Sequence, residues 1–234
     1  MRTIFLGDSL TAGIPGVSYW RFLHKKSKLI NKGLGGDTLL GAMDRAEKML
    51  SNPRYNNVEQ YIIEIGTNDV LLPAMEKQSA ILEMFVKIIG RAQGSVPCED
   101  ITTFRIKYEE LLQKLIEHKK TIGIIGLPLI ESGTLMINET MMEYDAAIVE
   151  LSKKYSIPYL DFRQLETKIK GSNCGVYCIS TTNPRNIFNT VFTTILPFSM
   201  QISKHRGLAV TIDGTHLNKN MAKVLAAEIE IKFP

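Results

Sequence analysis

Residues 2–9 of the chain, RTIFLGDS, set the pattern on which the fold depends, because a short apolar run ends there at a glycine followed by two polar residues. An apolar run of this length between turn-forming residues is typical of a strand buried in a sheet. The same pattern recurs at 28–31, before a glycine-rich turn, and at 61–65, before Gly66. We therefore predict strands at 2–6, 28–31 and 61–65.

Helical spacing of apolar residues separates these strands and continues along most of the chain. It predicts further elements, namely helices at about 18–25, 38–50, 74–92, 101–119, 138–155 and 217–231 and strands at 121–127 and 157–162. Alternating strands and helices indicate right-handed βαβ connections and an α/β fold, with a parallel sheet covered on both faces. Sites in such sheets form at the carboxyl ends of the strands. Ser9, Gly36 and Asn68 each follow a predicted strand, so we expect them at one edge.

The length of 234 residues favours one domain over residues 1–234, with an insert at about 163–210. Within this insert, an Asn-Pro start and apolar residues at a spacing of four predict a helix over 183–196. Its strongly apolar face is consistent with a lid over a site or with a homodimer interface.

Composition narrows the class of protein. The net charge is only +4 and no run of basic residues occurs, so we expect no nucleic-acid partner. No apolar stretch reaches the roughly 18 residues of a membrane span, and no secretory leader is evident, so we expect no stable membrane insertion and a cytoplasmic location. The cysteines are Cys98, Cys174 and Cys178. An odd, low count suits a reducing compartment, and with no second cysteine pair we expect ordinary thiols and no metal site.

Two polar motifs near the chain ends are candidates for nucleophilic catalysis. Ser9 can act as a nucleophile if a base takes its proton, or it can simply cap the next helix. Asp213 and His216 are three residues apart, a spacing that places both side chains on one side of a helical turn. Asp213 can then orient the imidazole as a base, or it can cap the C-terminal helix while His216 lies on the surface.

The turns after the second and third strands can supply hydrogen-bond donors. The glycines of residues 33–36 allow the backbone to approach a ligand closely. Thr38 stands where a dinucleotide-binding fingerprint requires glycine, and no P-loop motif occurs. The Asn68 amide can donate to a developing oxyanion, or it can merely stabilise its turn.

Taken together, four segments resemble the conserved blocks of the SGNH hydrolases, also called the GDSL esterase/lipase family. The segments are residues 7–10 (GDSL), 31–37 (NKGLGGD), 66–69 (GTND) and 213–216 (DGTH), and they occur in the family's order. The resemblance implies a flavodoxin-like three-layer α/β/α sandwich with a five-stranded parallel sheet. It also implies roles for individual residues, with Ser9 as nucleophile, His216 as base, Asp213 as its orienter, and Ser9, Gly36 and Asn68 as oxyanion-hole donors.

By this resemblance the chain is an ester hydrolase that acts through an acyl-enzyme and needs no cofactor or metal. Members of the family act as carboxylesterases, lysophospholipases, thioesterases or carbohydrate deacetylases, and the sequence does not choose among these small-molecule ester substrates. The long insert before the last block leaves the chemistry in place but puts the substrate in doubt. The alternative is a non-catalytic binding protein on the same scaffold, which the fold alone does not exclude.

Overall fold

A computed structural model describes residues 1–24, 26–77, 84, 96–131, 135–170 and 198–234. Its five strands form one parallel sheet in the order β2-β1-β3-β4-β5. They are β1 (Thr3–Gly7), β2 (Leu29–Gly33), β3 (Gln60–Glu64), β4 (Thr121–Ile125) and β5 (Tyr159–Leu160). The predicted five-stranded parallel sheet is thus confirmed.

The helices between and after the strands cover most of the remaining described chain. They are α1 (Ser9–Ala12), α2 (Leu39–Leu50), α3 (Thr67–Glu76), α4 (Ile101–Glu117), α5 (Leu135–Lys154), α6 (Phe162–Lys170), α7 (Ser199–His205) and α8 (Lys219–Lys232), with short 3₁₀ turns at Tyr19–Phe22, Lys26–Lys28 and Pro53–Tyr55. Within the described ranges, no helix is both long enough and apolar enough to cross a bilayer.

Side chains that alternate along the strands divide the core into two layers. In β1, Ile4 and Leu6 pack against α2, α4 and α5, whereas Phe5 between them belongs to the opposite cluster with α6, α8 and the Tyr19–Phe22 turn. In β3, Ile62 likewise faces away from its neighbours Tyr61 and Ile63. Helices therefore cover both faces of the sheet, which confirms the three-layer α/β/α sandwich.

The structure corrects several predicted elements. Of the helix predicted at 18–25, the described residues 18–24 form no α-helix; Ser18 instead caps a single 3₁₀ turn by accepting from the N–H of Trp20. The helix after β3 begins at Thr67, within the segment expected to be only a turn, and ends at Glu76. Most of the predicted 74–92 helix lies outside the described residues.

The chain after β4 also differs from expectation. Strand β5 keeps only two residues of the predicted 157–162. Before the strand, the N–H of Ile157 donates to the backbone carbonyl of Ser152 and not to a neighbouring strand, and after it α6 already begins at Phe162. Helices α6 and α7 lie in the region expected to be an insert. The apolar helix predicted at 183–196 falls outside the described residues, so its role as lid or dimer interface stays a prediction.

The register of the sheet brings three strand ends level with one another. Gly7, the last residue of β1, lies opposite Gly33 of β2 and Glu64 of β3. A β-carbon at Gly33 would come within 2.1 Å of the Ala12 nitrogen, and one at Gly7 within 2.2 Å of the Thr11 hydroxyl. Both glycines therefore let α1 lie directly over the carboxyl ends of β1 and β2.

Candidate active site

Ser9 is the first residue of α1 and lies immediately beyond the end of β1. The cap of this helix is its neighbour Asp8, whose Oδ1 accepts the N–H of Leu10 at 2.9 Å. The backbone N–H of Ser9 has no partner within the helix, since the first turn of a helix leaves its N–H groups unbonded. Asp8 thus performs the capping role considered for Ser9, and the Ser9 hydroxyl remains available for another contact.

That contact is made by His216, which comes from the other end of the chain. The Nε2 atom of His216 lies 3.0 Å from Oγ of Ser9, and its Nδ1 atom lies 2.7 Å from Oδ2 of Asp213. The structure therefore brings together the three side chains that the sequence singled out as a nucleophile, a base and an orienting carboxylate. This linear arrangement has the geometry of a serine-hydrolase triad.

The Asp213–His216 pair is held by a tight loop and not by the helical turn expected from its spacing. The loop is closed by a bridge between Thr211 and Leu217 and by a hydrogen bond from the N–H of Ile212 to the His216 carbonyl. Oδ1 of Asp213 accepts the backbone N–H groups of Thr215 and His216 at 3.0 and 2.8 Å. These bonds hold the loop in a non-helical conformation, as short acidic side chains often do.

The expected alternative for Asp213, that it caps the C-terminal helix, is wrong. Asn218 caps α8 instead, with its side-chain oxygen accepting the N–H of Met221 at 3.0 Å. Because α8 starts only after the loop has closed, Asp213 is free of the helix and its second oxygen reaches the imidazole.

Burial and charge act in opposite directions on this pair. Burial alone would lower the pKa of His216, but the Asp213 carboxylate and, further, the Asp8 carboxyl hold that pKa above its ordinary value. Burial would raise the pKa of Asp213, yet the imidazole and two backbone N–H groups keep it below the usual range. The site thus favours an ionised Asp213 and stabilises positive charge on His216, as a base that accepts a serine proton requires.

Gly36 and Asn68 occupy neighbouring turns at the same edge of the sheet. Gly36 adopts a left-handed φ of 77° in the turn closed by the N–H of Asp37 and the carbonyl of Leu34. In the same turn, a β-carbon added to Gly35 would lie 4.0 Å from that of Ser9, so this backbone passes close to the serine. Asn68 is buried, and its side-chain nitrogen donates to the carbonyl of Asp37 at 2.8 Å.

The other aspartates of these turns are engaged elsewhere. Asp37 is fully buried and pairs with the guanidinium of Arg45. Asp69 accepts the N–H groups of Leu39 and Cys98 at 2.9 and 3.0 Å, and so joins α3 to the start of α2. Neither carboxylate contacts His216 in these hydrogen bonds, whereas Asp213 does.

Glu64, which sequence reasoning overlooked, lies beneath the serine turn. It is fully buried at the end of β3, where Oε2 accepts the Thr11 hydroxyl at 2.9 Å. Burial and the nearby Asp8 carboxyl hold the pKa of Glu64 well above its usual range, and burial raises the pKa of Asp8 to about 7. An acidic residue inside the apolar run 61–65 was the available signal, since an unpaired carboxylate is rarely buried.

The described residues contain no group of three or more His, Cys, Asp or Glu side chains placed to hold a metal ion.

Comparison with known proteins identifies the family to which the chain belongs. A model of the GDSL-like Lipase/Acylhydrolase family matches residues 5–173, which run from β1 to beyond the end of α6. The search of curated proteins found no match.

Solved structures with the same fold include three enzymes of related description. A GDSL-like lipase from Bacteroides thetaiotaomicron is 15% identical with a TM-score of 0.59, and the match covers 98% of this chain and 86% of that one. An acetyl xylan esterase from Geobacillus stearothermophilus is 17% identical with a TM-score of 0.58, and the match covers 97% of this chain and 92% of that one. A lipase/acylhydrolase from Enterococcus faecalis is 18% identical with a TM-score of 0.58, and the match covers 99% of this chain and 96% of that one. Identities this low establish the fold alone, but the family model covers well over half of the sequence, and the chain belongs to the GDSL-like lipase/acylhydrolase family.

Proposed function

We propose that this protein is a serine hydrolase that cleaves carboxylic esters through an acyl-enzyme on Ser9. The observation that carries the proposal is the continuous series of contacts from Ser9 Oγ to His216 Nε2 at 3.0 Å and from His216 Nδ1 to Asp213 Oδ2 at 2.7 Å. A serine hydroxyl is a weak nucleophile until a base removes its proton, and this arrangement supplies an oriented base.

In the first half of the reaction, Ser9 Oγ forms a bond to the acyl carbon and its proton passes to Nε2 of His216. The bond between the acyl carbon and the alcohol oxygen then breaks, and the same proton passes to the departing alcohol. In the second half, water attacks the acyl-enzyme, gives its proton to His216, and Ser9 is released with that proton. Asp213 keeps the imidazole in one orientation and stabilises its positive charge in both halves.

The negative charge that develops on the carbonyl oxygen needs hydrogen-bond donors. The proposed donors are the backbone N–H groups of Ser9 and Gly36 and the side-chain amide of Asn68, which follow three adjacent strands whose ends are level. Donors fixed before the reaction stabilise this charge at little cost in reorganisation.

The substrate is a small-molecule ester, and candidate classes are short acyl esters, acetylated sugars, lysophospholipids and thioesters. The acetyl xylan esterase of similar fold makes acetylated sugars one class to include in a substrate panel. A homodimer through residues 183–196 stays a prediction from the sequence.

The decisive experiment combines a covalent probe with a substrate panel. A fluorophosphonate should label the wild-type protein and Ser152→Ala, in which another buried serine is removed from α5, but not Ser9→Ala. Hydrolysis of acetyl, butyryl and octanoyl nitrophenyl esters, acetylated xylose and lysophospholipid should be lost in Ser9→Ala alone. A folded Ser9→Ala variant that keeps more than a few per cent of wild-type kcat would refute the assignment, and a wild-type protein that never reacts would favour a binding protein.

A further inference from the structure

Glu131, in the segment between β4 and α5, binds the backbone of residues 209–211, which leads to the Asp213–His216 loop. Its carboxylate is buried and accepts the N–H groups of three consecutive residues, Ala209, Val210 and Thr211. It also accepts the hydroxyl of Thr211 at 2.6 Å. The Glu131 carboxylate therefore accepts each backbone N–H group of residues 209–211.

The same residue also reaches the far side of Asp213. The backbone N–H of Glu131 donates to the carbonyl of Gly214 at 2.8 Å. The Thr211 hydroxyl, which donates to Glu131, accepts the N–H of Gly214 at 3.0 Å. Glu131 is thus connected to the loop both before and after Asp213.

We propose that Glu131 is a positioning residue that holds Asp213 and His216 in register with Ser9. The proposal rests on the function proposed above for that site. Hydrogen bonds from N–H groups to a carboxylate are roughly twice as strong as those between neutral groups, and they fix the direction of each donor. Without the carboxylate, several buried N–H groups lose their acceptor, so the loop must shift or admit water to satisfy them.

A small shift of this loop is expected to affect catalysis more than substrate binding. His216 must stay within hydrogen-bond distance of Ser9 while it accepts and returns a proton, and a misplacement of about 1 Å in such a site can cost about 10²-fold in rate. Substrate affinity depends on other surfaces, so kcat should fall and KM should change little.

Three variants separate positioning from a general loss of stability. Glu131→Gln keeps the size of the side chain but removes the charge and turns an NH₂ group toward backbone N–H groups. Glu131→Asp keeps the charge on a shorter side chain and should restore part of the lost activity. Thr211→Val leaves the charge of Glu131 intact and removes the hydroxyl that donates to Glu131 and accepts the N–H of Gly214, so it tests this connection while the carboxylate stays in place.

The matched control is Asp145→Asn, because Asp145 is also a buried carboxylate near the carboxyl end of β4. Its oxygens accept the N–H of Leu127 and the hydroxyl of Tyr159, which lie away from the 209–216 loop in sequence and belong to the β4–β5 side of the sheet. This variant should lower the unfolding temperature as Glu131→Gln does, while kcat stays within about threefold of wild type.

Two readouts are measured on the full chain, namely kcat and KM for nitrophenyl acetate and the pKa of His216 from the NMR shift of its imidazole Cε1 proton. We expect Glu131→Gln to lower kcat about 10- to 100-fold with KM unchanged within about twofold, and Thr211→Val to lower kcat by a smaller factor. We expect both variants to lower the pKa of His216, because a displaced Asp213 raises that pKa less.

The outcomes distinguish this proposal from the proposed function. Wild-type values of kcat and of the His216 pKa in both Glu131→Gln and Thr211→Val would overturn the positioning role, and so would an equal loss of kcat in Asp145→Asn. If instead Ser9→Ala is as active as wild type, the proposed function fails, and the NMR titration still decides whether Glu131 controls the Asp213–His216 pair. If Glu131→Gln does not fold, Thr211→Val and Glu131→Asp carry the test.

Discussion

The side-chain amide of Asn68 donates to the backbone carbonyl of Asp37 at 2.8 Å, so the proposed oxyanion donor is already fixed by the neighbouring turn. The same nitrogen lies 3.3 Å from Oδ2 of Asp8. An amide nitrogen carries two hydrogens, and both are directed at oxygens of the chain. A substrate oxyanion can replace the longer contact, to Asp8, at a lower cost in free energy than the shorter one to the Asp37 carbonyl.

Asn68→Ala should lower kcat about 10²- to 10³-fold, because one donor to the oxyanion is lost. KM should change little, since this hydrogen bond strengthens mainly in the transition state. The measurement is kcat and KM on a nitrophenyl ester, with urea unfolding of the same preparation. A lower free energy of unfolding with kcat intact would mean that Asn68 only stabilises the turn.

Asp213→Asn should lower kcat/KM about 10²- to 10³-fold, because an amide neither orients nor stabilises the imidazolium as a carboxylate does. The equivalent change in a serine-protease triad costs about 10⁴. A smaller loss is expected here, since the closed loop still holds the His216 backbone through Ile212. The control is Asp69→Asn, whose carboxylate binds backbone N–H groups away from the imidazole and should affect stability more than rate. Near-wild-type activity in Asp213→Asn would remove Asp213 from the triad.

The activity should rise with pH through a pKa above the ordinary histidine value of about 6.5, because His216 acts as a base only when neutral and its pKa is raised. The acidic limb of the kcat/KM profile reports this group in the free enzyme. In Asp213→Asn the acidic limb of the kcat/KM profile should move to lower pH, because the Asp213 carboxylate, which contributes most to raising the pKa of His216, is gone. An unchanged limb in that variant would assign the titration to another residue.

The stability of the protein should fall as the pH rises from about 4 to about 7, because Asp8 and Glu64 are buried side by side. The pKa of Asp8 is raised from 3.8 to about 7 and that of Glu64 is raised well above its usual range. Groups with raised pKa values bind protons more tightly in the folded state, so their stabilising contribution is present at low pH and is lost as the pH rises through the folded pKa.

Glu64→Gln removes one of the two ionisable groups but keeps an acceptor for the Thr11 hydroxyl. The decline in the free energy of unfolding between pH 5 and pH 8 should be smaller than in wild type, because one of the two carboxyl groups with a raised pKa in the folded state is gone. His216 titrates in both proteins, so it cancels from the difference. Equal slopes in the two proteins would show that the carboxyl pair does not change protonation on folding.

Local pattern was enough to locate the five strands, but it overestimated the length of β5, of which only Tyr159 and Leu160 pair in the sheet. It failed where side-chain hydrogen bonds to the backbone set the conformation. The 213–216 segment has helical spacing, yet the two N–H groups bound by Asp213 hold it as a loop.

The candidate site was less accessible to local reasoning than the fold. The meeting of Ser9 with His216 was expected from the family resemblance, because no periodicity relates residues so far apart. Glu131 gave no signal in the sequence, since an acidic residue after a strand and a proline is usually solvent-exposed. Only the folded backbone shows which N–H groups this carboxylate satisfies.

The Ser9–His216 contact joins residues 207 positions apart, whereas Asp213 and His216 are separated by three. During folding the Asp213–His216 pair can therefore assemble within its own loop, but Ser9, the proposed nucleophile, meets it only when the first strand and the last loop are both in place. Contacts between distant parts of a chain form late and slowly compared with local ones. The ability to react with a fluorophosphonate should therefore be among the last properties to return on refolding. The rate at which it returns would measure how fast Ser9 and His216 come together.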